Sequence, residues 1–344
     1  MISPKELSPA TIKSFIETTH EIKVINPPEL MLGGTENAGW LVETAENKYV
    51  AKVFSQAGER ISSIYDELYL YEYLLANGVH APEVVKPKTG SPVNILVADG
   101  FEYPVVTMRL ERLKRLSPSE ITLPEVELLA ETVAQMHKIF QTYPRKDQIA
   151  KMSLPLSPSV VSDGFDDLIF SPNVKVFHEN ELETLRITDE RLVSYIKMQT
   201  ISTPTPLKES ILHGDLSLGH ARFLPDGSIY LFDFSDFSFG PIIWELATML
   251  SYFYKEGGVS IGRWLEIGSH FFNQYKRHMS LTSNDIDALH YCLIDRLLFE
   301  IRTLNNISRR EHILADAEGN KNRYNLARFL IDHHLSDKLL SGGM

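Results

Sequence analysis

The spacing of apolar positions divides the chain into a strand-rich first third and a helical remainder. Ser8 to Glu21 repeats apolar residues at helical spacing, with Ile12, Phe15 and Ile16 on one side, and reads as an amphipathic helix outside the first lobe. Glu29–Leu32, Trp40–Thr44 and Tyr49–Phe54 read as strands. Val93–Ala98 and Glu102–Met108 read as two more, joined by Asp99-Gly100, a strong hairpin signal. Together they predict one antiparallel five-stranded sheet. Between the third and fourth strands, Ile61 to Ala76 places Ile61, Ile64, Leu68 and Leu75 at helical spacing and stops at Asn77-Gly78. Pro124 to Tyr143 is the next helix, striped by Val126, Leu129, Val133, Met136 and Phe140, with Pro124 at an entry position. His137 lies on its apolar side and reads as a satisfied core histidine. Two proline-containing patches bracket a predicted helix from about Glu181 to Gln199. Ile242 to Phe253 is apolar nearly all round and predicts a buried helix. Ile261–His278 follows, then Ile286–Asn305 behind a Ser283-Asn284-Asp285 cap signal, then Tyr324 to Leu340.

Three places break these patterns with chemistry. The first is the glycine-rich turn Gly33 to Gly39 between two strands, where Gly33 and Gly34 would let main-chain amides approach phosphate oxygens. A plain hairpin explains the same glycines. The second is Lys52, a charge in the middle of the apolar strand Tyr49–Phe54, which is costly there unless paired. Asp66, Glu67 and Glu72 on the following helix compete for it. Glu67, beside Ile64 and Leu68, is nearest the apolar stripe and is the expected partner. The third is Ile211 to Leu250. Ala221–Leu224 and Ile229–Asp233 flank Pro225-Asp226-Gly227 as a hairpin, so Asp215, His220 and Asp233 are expected to converge. Two carboxylates and an imidazole in one cleft suit phosphoryl transfer: one aspartate orients the attacking hydroxyl and the other groups hold Mg²⁺. His213 is read as a brace for this loop. Asp236 is left open between binding substrate and capping the helix near Pro241. Glu245 reads as a helix-face residue pairing locally. Arg296 and Arg302 stay outside the predicted site, because exposed arginines are commoner than functional ones.

His213-Gly214-Asp215-Leu216, the spacing from Asp215 to His220, the hairpin and Asp233-Phe234 together resemble the aminoglycoside phosphotransferase and small-molecule kinase branch of the protein-kinase-like enzymes. Phe232 to Tyr254, FDFSDFSFGPIIWELATMLSYFY, is similar to hydroxylysine-kinase-type members, and Ala134 to Phe140, AQMHKIF, resembles a helix of the same family. The resemblance implies that Asp215 is the catalytic base, that Asp233 and His220 hold Mg²⁺, and that Lys52, paired with Glu67, grips the α- and β-phosphates of ATP or GTP. It also implies a hinge at Arg109-Leu110-Glu111 that contacts the base, with Arg109 there and Met108 either lining the base pocket or filling core. Three positions depart from the family pattern. His220 stands where asparagine is usual, although some antibiotic phosphotransferases also carry histidine; Ser235 replaces a glycine; Glu245 replaces an aspartate.

Composition narrows the partners. The chain has 344 residues, 43% hydrophobic and 23% charged, which suits a soluble globular protein large enough for two lobes. A net charge of −11 argues against a nucleic-acid surface. Cys292 is the sole cysteine, which suits a reducing compartment. No basic, apolar leader opens the chain and no apolar run reaches membrane-spanning length, so neither secretion nor a membrane is expected and the cytoplasm is the expected compartment. The expected fold class is α+β: a bilobal protein-kinase-like fold with residues 1–108 as the nucleotide-binding lobe and 109–344 as the helical lobe carrying the catalytic loop, metal site and acceptor site. The expected partner is a small-molecule hydroxyl acceptor of amino-alcohol, hydroxylated amino-acid or aminoglycoside type; oligomeric state is not encoded in any pattern here. Two alternatives stand beside this reading: a non-catalytic nucleotide-binding protein, motivated by His220 and Ser235, and a protein Ser/Thr kinase, opposed by the lack of an activation-loop segment after Asp233.

Overall fold

The computed structural model describes residues 3–31, 37–55, 60–87, 90–115, 117–152, 206–255, 259–311, 317–333 and 335. The chain divides into two compact units, Met1–Lys114 with Phe223–Ser235, and Arg115–Arg222 with Asp236–Met344. The expected glycine pair Gly33 and Gly34, and the expected helix from Glu181 to Gln199, lie outside the described residues.

The first unit holds the five-stranded antiparallel sheet: β1 (Glu29–Leu30), β2 (Ala38–Glu43), β3 (Lys48–Val53), β4 (Asn94–Ala98) and β5 (Phe101–Arg109), in the order β1-β2-β3-β5-β4. Alternation along β2 turns Ala38, Trp40 and Val42 to one face, where they join Ala51, Val53, Leu96, Tyr103 and Val105. Helix α1 (Pro9–His20) closes that face with Ile12 and Ile16. Asp99 (φ 49°) and Gly100 (φ 79°) are both left-handed, the geometry a two-residue hairpin demands. Helix α2 (Arg60–Ala76) buries Ile64, Glu67, Leu68, Tyr71 and Leu74. Leu75 is a correction to the expected stripe: it is 38% exposed, because a 3.6-residue period carries the buried line from Leu68 through Tyr71 to Leu74. Gly78 (φ 80°) ends the helix as expected, with the Gly78 N–H donating to the Leu75 carbonyl and the Val79 N–H to Leu74.

In the second unit, α3 (Leu123–Gln141) starts on a reciprocal cap between Thr122 and Glu125, and its expected stripe is buried throughout. Strand β6 (Glu209–Leu212) pairs antiparallel with β9 (Ser238–Pro241). Between them in sequence, β7 (Ala221–Phe223) and β8 (Ile229–Leu231) make the expected hairpin, turned at Gly227 with φ 88°; from Phe223 onward this stretch belongs to the first unit. Among the described residues four helices follow: α4 (Ile242–Lys255), α5 (Ile261–His278), α6 (Ser283–Glu311) and α7 (Ala317–Asp332). The pattern did not predict β9, because four residues around a Gly-Pro carry too short an alternation. The strand separates Asp236 from the start of α4 at Ile242. Helix α6 begins before the expected Ile286, because Thr282 and not the Ser283-Asn284-Asp285 run supplies the cap, exchanging hydrogen bonds with Asp285. Helix α7 likewise begins before Tyr324.

Helix α3 offers a direct test of this packing, since Leu129 is fully buried and its neighbour Leu128 is 37% exposed. Leu129→Ala is expected to lower unfolding free energy by about 2–5 kcal/mol. Leu128→Ala is expected to cost under about 1 kcal/mol. Urea denaturation followed by circular dichroism reads both.

Candidate active site

In the second unit, β6 leads into a loop from His213 to His220 whose shape is set by main-chain geometry and one buried carboxylate. Gly214 adopts φ 87°, and a Cβ there would stand 1.9 Å from the Asp236 carbonyl oxygen. No side chain fits. Glu245, in the first turn of α4 and fully buried, accepts the main-chain N–H of His213 and, at 3.2 Å, that of Gly214. Its backing is polar too: His137 Nε2 lies 3.7 Å from Glu245 Oε2, and His137 Nδ1 is 2.8 Å from the Tyr275 hydroxyl. His137 thus lies in the core as expected, but it is only half satisfied: Nδ1 meets the Tyr275 hydroxyl, while the buried Nε2 makes no hydrogen bond among the described residues. Glu245 is not the locally pairing helix-face residue expected; its carboxylate is spent on the loop's backbone. The expected brace, His213, is buried and stacks on His220 with ring centroids 5.6 Å apart.

Asp215 is partly buried on this loop. Its Oδ1 accepts from the Tyr252 hydroxyl at 2.6 Å and from Arg296 Nη2 at 2.8 Å. Burial pushes the Tyr252 phenol well above its ordinary pKa, so it stays protonated and donates. Arg296 Nε donates to Glu300 Oε1 at 2.7 Å, and Arg323 Nε to Glu300 Oε2 at 2.7 Å. Burial alone would lower the Arg296 pKa, but Glu300, Tyr252 and Asp215 outweigh it and hold it raised. The result is a buried chain of alternating charge from Asp215 to Arg323. His220 Nδ1 stands 2.7 Å from the Asp215 carbonyl oxygen. A carbonyl only accepts, so Nδ1 carries a proton and donates it there.

The first unit gathers a second set. Register places Lys52 opposite Gly39 on one side and Val106 on the other. Its Nζ is 3.1 Å from Glu67 Oε1 and 2.9 Å from Asp233 Oδ1. Glu67 is thus the partner that periodicity selected, and Asp233 arrives from a point distant in sequence. Burial works to lower the Lys52 pKa; the two carboxylates more than reverse it and keep the ammonium charged. The Tyr71 hydroxyl donates to Glu67 Oε1 at 2.6 Å and accepts the N–H of Asp233 (3.1 Å) and Phe234 (3.3 Å). That tyrosine holds Asp233 in its left-handed conformation, φ 65°. Sequence reading passed over Tyr71, one turn after Glu67 on the same stripe; a hydroxyl on that stripe was the available signal.

Among the described residues no group of three or more His, Cys, Asp and Glu side chains is arranged to hold a metal. Mg²⁺ needs no such cage, since one or two carboxylates suffice when waters and phosphates fill the other positions. The Asp233 carboxylate, 38% exposed, fits that donor chemistry. His220 fits it less well, because it offers nitrogen to an oxygen-seeking ion. Asp236 is exposed ahead of β9. Met108 is half-buried near the end of β5, paired with Val50, and Arg109 beside it reaches Asn47 Oδ1 at 3.1 Å and Glu83 at 3.7 Å. Arg296, left out of the expected site, is in direct contact with Asp215. The signal for it was a charge within the apolar line of α6, between Leu293 and Leu297, with Glu300 one turn on.

The family model described as "Phosphotransferase enzyme family" matches residues 29–278. An uncharacterized protein of Synechocystis sp. is 24% identical over 293 residues, covering 82% of this chain and 75% of that one. Among solved structures, a microcompartment-associated aminopropanol kinase superposes with a TM-score of 0.68 at 20% identity, covering 97% of this chain and 99% of the other. An amicoumacin kinase, solved with AMP-PNP and Ca²⁺, gives 0.68 at 13% identity over 96% and 93%. A spectinomycin phosphotransferase, solved with ADP and spectinomycin, gives 0.64 at 14% identity over 97% and 99%. The fold is the protein-kinase-like α+β fold of these structures.

Gly214 and Gly227 separate strain from crowding, since both have positive φ but nothing lies within 4 Å of a Cβ built on Gly227. Gly227→Ala is expected to cost only the left-handed penalty, about 1–2 kcal/mol. Gly214→Ala must also move the Asp236 carbonyl, and thermal denaturation is expected to show a clearly larger loss for it than for Gly227→Ala.

Proposed function

We propose that this chain, which belongs to the phosphotransferase enzyme family, moves the γ-phosphoryl group of ATP or GTP to a hydroxyl of a small molecule. The observation that carries the reading is Asp215: a carboxylate on a loop clamped by Glu245, one oxygen tied by two donors and the other, Oδ2, taking no hydrogen bond among the described residues. The acceptor oxygen attacks the γ-phosphorus, the bond to the bridging oxygen breaks, the diphosphate leaves with the bonding electrons, and the hydroxyl proton passes to Asp215. Lys52, kept charged and braced by Glu67, grips the α- and β-phosphates. Gly33 and Gly34 are assigned to the phosphates, and Met108 and Arg109 to the base. Asp233 is the carboxylate assigned to Mg²⁺, with His220 as its second ligand; the ion supplies neutralisation of charge on the phosphate oxygens. Asp236 is assigned to the acceptor. Catalysis in this scheme is positioning and charge compensation.

The acceptor class we favour is an amino-alcohol, a hydroxylated amino acid or an aminoglycoside. The aminopropanol kinase among the structural neighbours supports the first. The net charge of −11 supports a cationic acceptor in general. The reducing cytoplasm is part of the reading, supported by the single cysteine, Cys292, buried as a free thiol.

A nucleotide-consumption screen with ATP and GTP against amines, amino-alcohols, hydroxylated amino acids and aminoglycosides tests the whole reading. Asp215→Asn is expected to lower kcat by about 10²-fold or more while Mg·ATP binding stays within a few-fold. Equal loss of binding and turnover contradicts the role of Asp215. Lys52→Met is expected to do the opposite first, raising the nucleotide KM. Nucleotide binding without turnover on any acceptor would instead favour a non-catalytic binding protein.

A further inference from the structure

The contact between Arg296 and Asp215 is not accounted for by that scheme. Arg296, Glu300 and Arg323 all lie beyond residue 278, where the family-model match ends. They belong to α6 and α7, two helices at the C-terminal side of that match, and they form an unbroken relay into the loop. Arg323 Nε reaches one oxygen of Glu300, Arg296 Nε the other, and Arg296 Nη2 reaches Oδ1 of Asp215. The Ser251 hydroxyl, one residue before Tyr252, adds a 3.2 Å bond to Glu300. The guanidinium cannot swing: its carbon lies 5.2 Å from the Trp244 ring centroid and 5.5 Å from that of Tyr252, and the side chain is 6% exposed. A planar fork held at one end by Glu300 thus presents its other end to a single carboxylate oxygen. Tyr252 donates to the same oxygen, and Arg296 Nη2 is 3.1 Å from the tyrosine hydroxyl, so the three atoms form a closed triangle. Such an arrangement fixes the carboxylate's rotation. Two donors on Oδ1 leave Oδ2 as the basic oxygen.

We infer that Arg296, with Tyr252, is a positioning residue for phosphoryl transfer, holding Oδ1 of Asp215 so that Oδ2 meets the acceptor hydroxyl. The step itself is unchanged: the acceptor O–P bond forms, the bridging P–O bond breaks, the diphosphate leaves with the electron pair, and Oδ2 takes the proton. Arg296 neither touches acceptor nor moves a proton. The inference rests on the phosphotransferase reading, and it makes the helices beyond residue 278 part of the catalytic apparatus.

Arg296→Lys, Arg296→Gln, Tyr252→Phe and the Arg296→Lys/Tyr252→Phe pair are compared with the unaltered full chain. Each is read by melting temperature, by Mg·ATP affinity in calorimetry, and by kcat and KM on an acceptor from the screen, or on water as acceptor if the screen finds none. Arg296→Gln is expected to lower kcat about 10²-fold with the nucleotide KM within twofold, as for a misplaced reacting group. Arg296→Lys, which keeps the charge and loses the fork, is expected to recover part of that loss. Because both residues serve one oxygen, the paired variant is expected to lose less than the product of the single losses. Should Arg296→Gln fail to fold, Tyr252→Phe and Arg296→Lys carry the test alone. A kcat within twofold of the unaltered chain in both, or a fall in kcat matched by an equal fall in nucleotide affinity, overturns the inference and leaves the phosphotransferase reading standing. An unaltered chain that binds no nucleotide, or turns over neither acceptor nor water, overturns both.

Discussion

A buried carboxylate facing two main-chain amides governs the second unit. Glu245 has lost its hydration entirely, a cost of several kcal/mol for an isolated ion in a low-dielectric interior. The N–H groups of His213 and Gly214 offset that cost, and they are themselves donors that no strand or helix satisfies. Neither side is stable without the other: the carboxylate needs the donors, and the donors need an acceptor where water does not reach. Their mutual need fixes the path of the chain after β6. From it follow the left-handed turn at Gly214, its close approach to Asp236, and the point at which Asp215 leaves the backbone. Glu245 reaches both amides because α4 begins immediately after β9 and carries it in its first turn.

The two units solve the problem of buried charge in the same way, by alternation. In the first, an ammonium sits against two carboxylates, and a tyrosine hydroxyl finishes the hydrogen bonding of one and the backbone of the other. In the second, carboxylate, guanidinium, carboxylate and guanidinium follow one another from Asp215 to Arg323. Ion pairs of this kind contribute little net stability, since desolvation consumes most of the Coulombic gain. What they do supply is orientation. A side chain held at both ends by charged hydrogen bonds has one rotamer, and a phosphoryl-transfer site built on positioning depends on that property more than on strength.

The elements were largely legible because their signals are local. Strand alternation announced the sheet and the misplaced charge of Lys52 within an apolar strand, and helical periodicity on α2 singled out Glu67 from Asp66 and Glu72. The Asp99-Gly100 hairpin, the end of α2 at Gly78 and the core placement of His137 were readable for the same reason. Errors came where the signal was short or displaced. Strand β9 is four residues long, Leu75 lies just off the drifting apolar line, and the cap of α6 is Thr282 beside an equally plausible polar run.

The sequence by itself determined the longer strands and the helices, and that Lys52 must find a carboxylate, because periods of two and 3.6 residues and the cost of an unpaired charge act along the chain. It could not determine that Asp233 would be the second carboxylate at Lys52, that Glu245 would turn inward to the His213 loop, or that Arg296 would reach Asp215. Those partners lie 181, 32 and 81 residues apart. Pairings at such distances depend on how strands and helices pack, and each of these charged groups had several chemically equivalent partners until the fold brought one of them within hydrogen-bonding reach.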